Sequence, residues 1–476
     1  MLLKELYFVI PTHRLREVGE TVKQYDDHFW RNGHSVQMFV FDDSTRANQE
    51  KYYPLLECTR THHELYYVGP REKEQFLAYI NGRLRDKRLE MLVKNLFQPS
   101  YGGNRNFTLM YTLGGLAVSS DDDMRPYSFI EDSPESLADD EVSRGHLQKV
   151  GSNGFTQKSF DILSAFLDVL GKPVAQIPEN YERGELLIDS SMDLETNATK
   201  GLVRENSLLL QRGAVPDNAV VKIAQTFRSG TNDIDTLDFV EMFLDDENQT
   251  SLDVLSDIYV LVNFRPVVTN KNWRMDCGVA AFDNTFGLPS FFPTRLRFED
   301  YVYRLWIQQN GMVAAHVDAA QNHIKSNYMR NPPAAEIFNE EICNLLKRKI
   351  KSSLTHMDEL SISFDYEGEV TSEDAQAILD KITALHRRAS QAAAAARSAE
   401  RAQALRLFAA NLEKTFYSFE PDFFQQNLLR IVTDVVGVIK SSIQLWPTLV
   451  EIVYFQKSRG GLPRTRIWPK KAEAAA

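Results

Sequence analysis

The chain has 476 residues, of which 43% are apolar and 25% charged, and its formal net charge is -11. That length and mix belong to a globular protein with more than one domain and a substantial core. The acidic balance argues against a general polyanion binder and makes nucleic acid an unexpected partner, because nucleic-acid affinity rests on Lys and Arg neutralising phosphates; a local basic patch stays open. Cys58, Cys277 and Cys343 are too few and too far apart for a disulfide framework or a cysteine-based zinc site. They suit a reducing compartment, so a cytoplasmic location is expected.

The N-terminus, MLLKELYFVIPTHR, is too short in its apolar part for a signal peptide and reads as a first strand. Leu6–Ile10 lacks alternation, as a strand buried on both faces does. Val18, Val22, Tyr25 and Phe29 follow at helical spacing. Val36–Phe41 is the next strand, and Asp42-Asp43-Ser44 ends it. Strand, helix and strand open a right-handed parallel unit. Leu65–Val68 is a third strand, and Glu72–Phe97 reads as helical. Gly102-Gly103 reads as a turn before an amphipathic helix, and Leu116–Val118 as a central strand.

Beyond Pro126 the pattern weakens. Glu131–Glu141 is acidic, contains Pro134 and reads as a loop. Phe160–Leu170 and Asp235–Leu244 read as helices, and Ile258–Phe264 as a strand. Segments near 336–357 and 372–417 read as helices, the second with Ala392–Ala396 inside it. Its stripe of Leu405, Phe408, Leu412 and Phe416 is expected to pack within the chain, with a homodimer seam as the alternative. The stretch Phe423–Phe455 comes nearest to a membrane span, but Asp434, Lys440 and Glu451 interrupt it and Pro447 should break its helix. No transmembrane segment is expected, and peripheral contact with a membrane surface is the minor alternative. From Ser458 the chain reads as a basic tail.

Asp121, Asp122 and Asp123 follow the strand at Leu116–Val118. In open α/β sheets the carboxyl ends of the strands are where ligands bind. A carboxylate cluster repels itself unless something positive sits in it, and a divalent cation is the usual solution. Asp121 and Asp123, two residues apart, point the same way on an extended backbone. They are therefore expected to hold a metal, and the metal a diphosphate. There is no P-loop, dinucleotide fingerprint, G-x-S-x-G elbow or H-E-x-x-H.

The order FVIPTHR, MFVFDDS, GGNRNFTLMYTLGG and SSDDDMRP resembles GT-A-fold glycosyltransferases, in particular the family-2-like group. A Gly-containing strand at Gly278 and the pair Glu299-Asp300 at a helix start extend the likeness. It covers 1–126 and about 270–330, is weak across 127–265 and absent after about 335. The resemblance implies an α/β fold, a Rossmann-like mixed sheet flanked by helices, to which the chain adds the mainly α-helical C-terminal region read from its own residues. Its domains would be 1–335, comprising a nucleotide-sugar half 1–126, an insertion 127–265 and an acceptor half 266–335, then 336–457 and a tail 458–476.

It also implies a function: transfer of a hexose-type sugar from a nucleotide sugar, a UDP-sugar foremost, to a hydroxyl acceptor such as a glycan. Asp121 and Asp123 would hold manganese or magnesium, with His323 as a further ligand; His316 is a second candidate. Pro11, Thr12, Arg14, Asp43, Arg105 and Asp122 would bind the donor. Asp300, with Glu299 beside it, would be the base of an inverting reaction. Trp273, Arg274 and Asp276 would touch sugar or acceptor. The alternatives are a retaining transferase on the same fold and a non-catalytic sugar-nucleotide-binding scaffold.

Overall fold

The computed structural model describes residues 4–131, 146–149, 155–189, 202–205, 208–229, 236–245, 259–262, 266–271, 278–293, 299–324, 334, 337–342, 350–353, 363–366, 372–420, 423–424, 426, 441 and 444–468. Trp273, Arg274 and Asp276, and most of the acidic loop expected at Glu131–Glu141, lie outside the described residues.

The first half alternates strand and helix: β1 (Leu6–Thr12), α1 (Leu15–Arg31), β2 (Gln37–Asp42), α2 (Arg46–Thr59), β3 (Glu64–Val68), α3 (Pro70–Leu84), α4 (Lys87–Leu96), α5 (Tyr101–Thr112) and β4 (Leu116–Ser120). Later come β5 (Met124–Arg125), β6 (Val221–Ser229), β7 (Val279–Asp283), α6 (Glu299–Gln309), β8 (Val313–His323) and β9 (Thr465–Ile467). They build one 11-stranded sheet in the order β9-β3-β2-β1-β4-β7-β6-β8, which continues to Val267–Val268 and Glu182–Arg183, with β5 on β8. β3, β2, β1 and β4 are mutually parallel. β7 runs against both β4 and β6, and β6 is parallel to β8. The result is a mixed, mostly parallel sheet flanked by helices.

The unalternating apolar runs are explained by helices on both faces. Phe8 and Ile10 join α1 residues Val18, Val22, Tyr25 and Phe29 in one core. Tyr7 and Val9, pointing the other way, meet Phe76, Phe107 and Tyr111 in the second. Leu445, Trp446, Leu449 and Val453, from the helical stretch 444–457, belong to this second core. Phe408 packs edge-on against Phe243 of the helix Thr236–Asp245, with ring centres 5.4 Å apart, and Leu405, Phe408 and Leu412 of the expected stripe are buried within the chain, Phe416 half-buried.

Several expectations change. Glu72–Phe97 is two helices, because Arg85 adopts a left-handed conformation, φ 52, between α3 and α4. Gly102 and Gly103 are not a turn but the opening of α5, capped by Ser100 accepting from Gly103 N at 3.0 Å. A Cβ on Gly102 would stand 2.9 Å from the Phe292 carbonyl oxygen, and one on Gly103 would run into that of Gln98. The glycines permit close approach rather than a change of direction. Within 336–357, Ile350–Ser353 is a strand paired with Ser363–Tyr366. Residues 444–457 are helical through Pro447. β6 lies within the stretch expected as an insertion, yet stands between β7 and β8 in the sheet. Part of the expected basic tail is β9, antiparallel to β3. Among the described residues no helix is long and apolar enough to cross a membrane.

Candidate functional site

The carboxyl ends of β1 and β2 are level, since Thr12 pairs with Asp42 and Asp43 N donates to Thr12 O at 2.8 Å. β4 ends alongside them at Ser120. A cavity of about 490 Å³ opens over this edge, between Pro11–Arg14, Asp43, Pro99–Tyr101, Asn104–Arg105 and Asp121–Asp122. The donor-side residues named from the sequence thus gather around one opening, as the rule for open parallel sheets requires.

The three aspartates do not continue the strand. Met124 N returns to Asp121 O at 3.2 Å, which closes a turn. Alternation therefore fails here, and the carboxylates part. Asp121 takes Arg105 Nη2 at 3.0 Å. Asp122 takes both Arg14 and the Thr12 hydroxyl. Asp123 Oδ2 takes Arg14 Nη2 at 2.7 Å and His323 Nε2 at 2.9 Å. From beneath, Arg125 donates to Met124 O at 2.9 Å and to the Thr21 hydroxyl at 2.6 Å, and Thr21 donates to Asp122 O. Much of the positive charge that the cluster demands is therefore supplied by Arg14 and Arg105.

These placements divide the carboxyls electrostatically. Burial pushes Asp121 up to about 6, with Arg105 opposing and Asp123, Asp122 and Asp300 adding to the rise. Burial also raises Asp122, against Arg14. Asp123 goes the other way: burial would raise it, but His323 and Arg14 together hold it below the ordinary carboxylate range. Asp123 Oδ1 is buried and without a hydrogen-bond partner.

Behind the cavity, Lys73 Nζ reaches Asp43 Oδ1 at 3.1 Å and Asn104 Oδ1 at 2.7 Å, above the Phe107 ring at 4.9 Å. Burial lowers the Lys73 pKa, with Asp43 opposing. Asn104 Nδ2 donates to Phe41 O, tying α5 to the end of β2. Neither residue was singled out from the sequence. A lysine in the first turn of a charged helix gives no signal there, although Asn104 adjoins Arg105 in the GGNRN run. Asp42 is structural: it accepts from Ser44 N at 2.8 Å and Tyr67 Oη at 2.6 Å. Asn106 turns away from the cavity and pairs with the backbone of Phe291 through both ends of its amide.

On the acceptor side, Gly278 O accepts from Asp121 N at 2.8 Å and leads into β7. Glu299 and Asp300 open α6, and Asp300 is near enough to Asp121 to raise its pKa. β8 pairs with β5, His323 opposite Met124, which delivers His323 to Asp123. His316 lies earlier on β8 among buried neighbours, where burial lowers its pKa to about 4. Among the described residues, the one trio of His, Cys, Asp or Glu with ligand atoms within 4.8 Å of one another is Asp26, Asp27 and His62, at the far end of α1. Asp121, Asp123 and His323 are not such a trio, because the turn sends Asp121 to Arg105 and Asp123 to Arg14. Both Asp26 oxygens already accept from the backbone N–H groups of His62 and His63.

The chain matches no protein-family model, and no curated protein matches it.

Proposed function

We propose that this edge is the donor site of a GT-A-type glycosyltransferase, which moves a sugar from a nucleoside diphosphate, UDP foremost, to a hydroxyl acceptor. The observation that carries the reading is the cavity lined together by Pro11–Arg14, Asp43, Arg105, Asp121 and Asp122. A mixed sheet flanked by helices agrees with it. Asp43, braced by Lys73, would accept hydrogen bonds from the ribose or base. Arg105 and Arg14 present forked donors suited to phosphate oxygens. Asp300, on the acceptor side, would take the proton from the attacking hydroxyl in an inverting reaction.

Two observations support a divalent cation, although Asp121, Asp123 and His323 do not bring their ligand atoms within 4.8 Å of one another in this arrangement. Asp121 borders the cavity, and Asp123 keeps one buried oxygen unpaired. Asp121 and Asp123, with His323 beside Asp123, would hold manganese or magnesium. Such an ion supplies Lewis acidity to a departing diphosphate. Arg14, lying between Asp122 and Asp123, favours a second reading in which the arginines meet the diphosphate without metal.

Thermal melts with UDP, with and without manganese and with EDTA, test both. A binder of the nucleotide melts higher by linkage. A shift abolished by EDTA and by Asp121→Ala favours the metal; one that survives EDTA favours the arginines. No shift with any nucleoside diphosphate sinks both. A shift without transfer from any nucleotide sugar across an acceptor panel leaves a non-catalytic binding protein.

A further inference from the structure

We infer that the amino edge of the sheet, opposite the cavity, docks on an anionic lipid surface. β1, β2, β3 and β4 start level with one another, as the pairs Tyr7–Gln37, Gln37–Glu64 and Leu6–Leu116 show. Four strongly exposed aromatic side chains converge on this edge from separate elements. Trp30, 59% exposed in the last turn of α1, stacks on His62 just before β3, with ring centres 4.7 Å apart. Trp468, 63% exposed, follows β9, whose Ile467 pairs with Leu65. Phe286, 84% exposed, follows β7, whose Asp283 pairs with Leu116. Tyr454, 57% exposed, lies against Gly114, two residues before β4.

Burying such rings would ordinarily stabilise a fold, so their shared exposure on one edge marks a surface that meets something. Cations accompany them. Arg466 lies over the Trp468 ring at 4.1 Å, Arg459 over Phe455 at 3.9 Å and Lys222 over Phe286 at 5.9 Å. Arg466 and Lys222 are shared with Glu64 and Asp283. Arg31, Arg60 and Arg459 are exposed on the same side, Arg60 just after α2, against exposed Glu5 and Glu451 and half-buried Asp27. The sequence from Lys457 to Lys471 holds six basic residues and no acidic one, in a chain of net charge -11.

Trp and Tyr rings with Arg and Lys around them are what the interface of a bilayer accepts, the rings among the headgroups and the cations on anionic lipids. A protein partner for a basic rim would be acidic; the row of separate, cation-backed rings favours lipid. Strands of this length then hold the cavity about 20 Å off the surface, facing away from it.

The test is flotation of the full chain with vesicles of phosphatidylglycerol and phosphatidylcholine, or phosphatidylcholine alone. The expected result is flotation with the anionic vesicles, weakened by salt and at least tenfold by the combined Trp30→Ser, Phe286→Ser, Tyr454→Ser and Trp468→Ser substitutions. Arg31→Glu with Arg459→Glu should weaken it independently. These side chains are exposed, and an unchanged melting temperature verifies folding. The inference is overturned if the chain stays unbound at low salt, if the aromatic variant floats as well as the parent, or if light scattering shows those rings instead holding two copies together. It is independent of the nucleotide site, and a UDP-induced shift should persist in the aromatic variant wherever the parent shows one.

Discussion

Arg14 Nη2 lies 2.7 Å from Asp123 Oδ2 and pairs at the same time with Asp122, so one guanidinium spans two buried carboxylates. Removing it leaves Asp122 without its cation and Asp123 with His323 alone, and a broken buried pair costs about 3–5 kcal/mol. The Arg14 side chain is partly exposed, so Arg14→Ala should fall below that range and still lower the melting temperature measurably. Manganese should restore more stability to Arg14→Ala than to the parent. Equal responses would show that Arg14 and a cation do not share a position.

Asp300→Asn keeps the size of the side chain and removes its basicity. Turnover should fall by about 10²–10⁴, the usual weight of a general base, while the UDP-induced thermal shift stays the same. Near-normal turnover would remove Asp300 from that role.

Lys73→Met should weaken both fold and site. It strips a buried donor from Asp43 and Asn104, at a cost of about 1–3 kcal/mol for groups left unsatisfied. Nucleotide affinity should fall with it, because Asp43 loses its brace. Calorimetric titration with UDP on folded Lys73→Met reads this directly.

His28 and His63 predict opposite pH dependences. Burial lowers the His28 pKa to about 4, with Asp161 opposing. Its neutral form belongs to the fold, so its contribution is complete above the unfolded value of about 6.5 and is lost as pH falls toward 4. His63 is raised by its hydrogen bond to Asp26, so its contribution is complete below about 6.5 and fades as pH rises through the higher folded value. Urea denaturation at pH 5 and pH 7 should show His28→Leu losing less stability than the parent on acidification. His63→Gln should lose less between pH 6 and pH 8. The reverse pattern would overturn either assignment.

The alternating first half was legible because buried parallel strands leave unbroken apolar runs and α1 carries an unmistakable 3.6 period. The ends of those strands were legible too, which is why Pro11, Thr12, Asp43 and Asp121 meet at one opening. What misled was the assumption of continued extension through Asp121–Asp123. Whether a backbone turns after a strand depends on partners such as Thr21 and Arg125, and Thr21 lies a hundred residues away in sequence. Lys73 was hidden for a similar reason, since its burial exists only once α3 and α5 pack together. β6 and β9 join the sheet from weakly patterned stretches, where neighbours rather than periodicity decide.

β9 also bears on how the molecule is made. Thr465, beside Ile467 in β9, reaches Glu72 across 393 residues of sequence to donate a hydrogen bond at 2.8 Å. At translation speeds of about 5–20 residues per second, the outer rim of β3 waits roughly 20–80 s on the ribosome for its neighbour. During that interval the strand edge is unpaired and open to pairing with other chains. A nascent chain stalled before Thr465 is thus the species most in need of a chaperone.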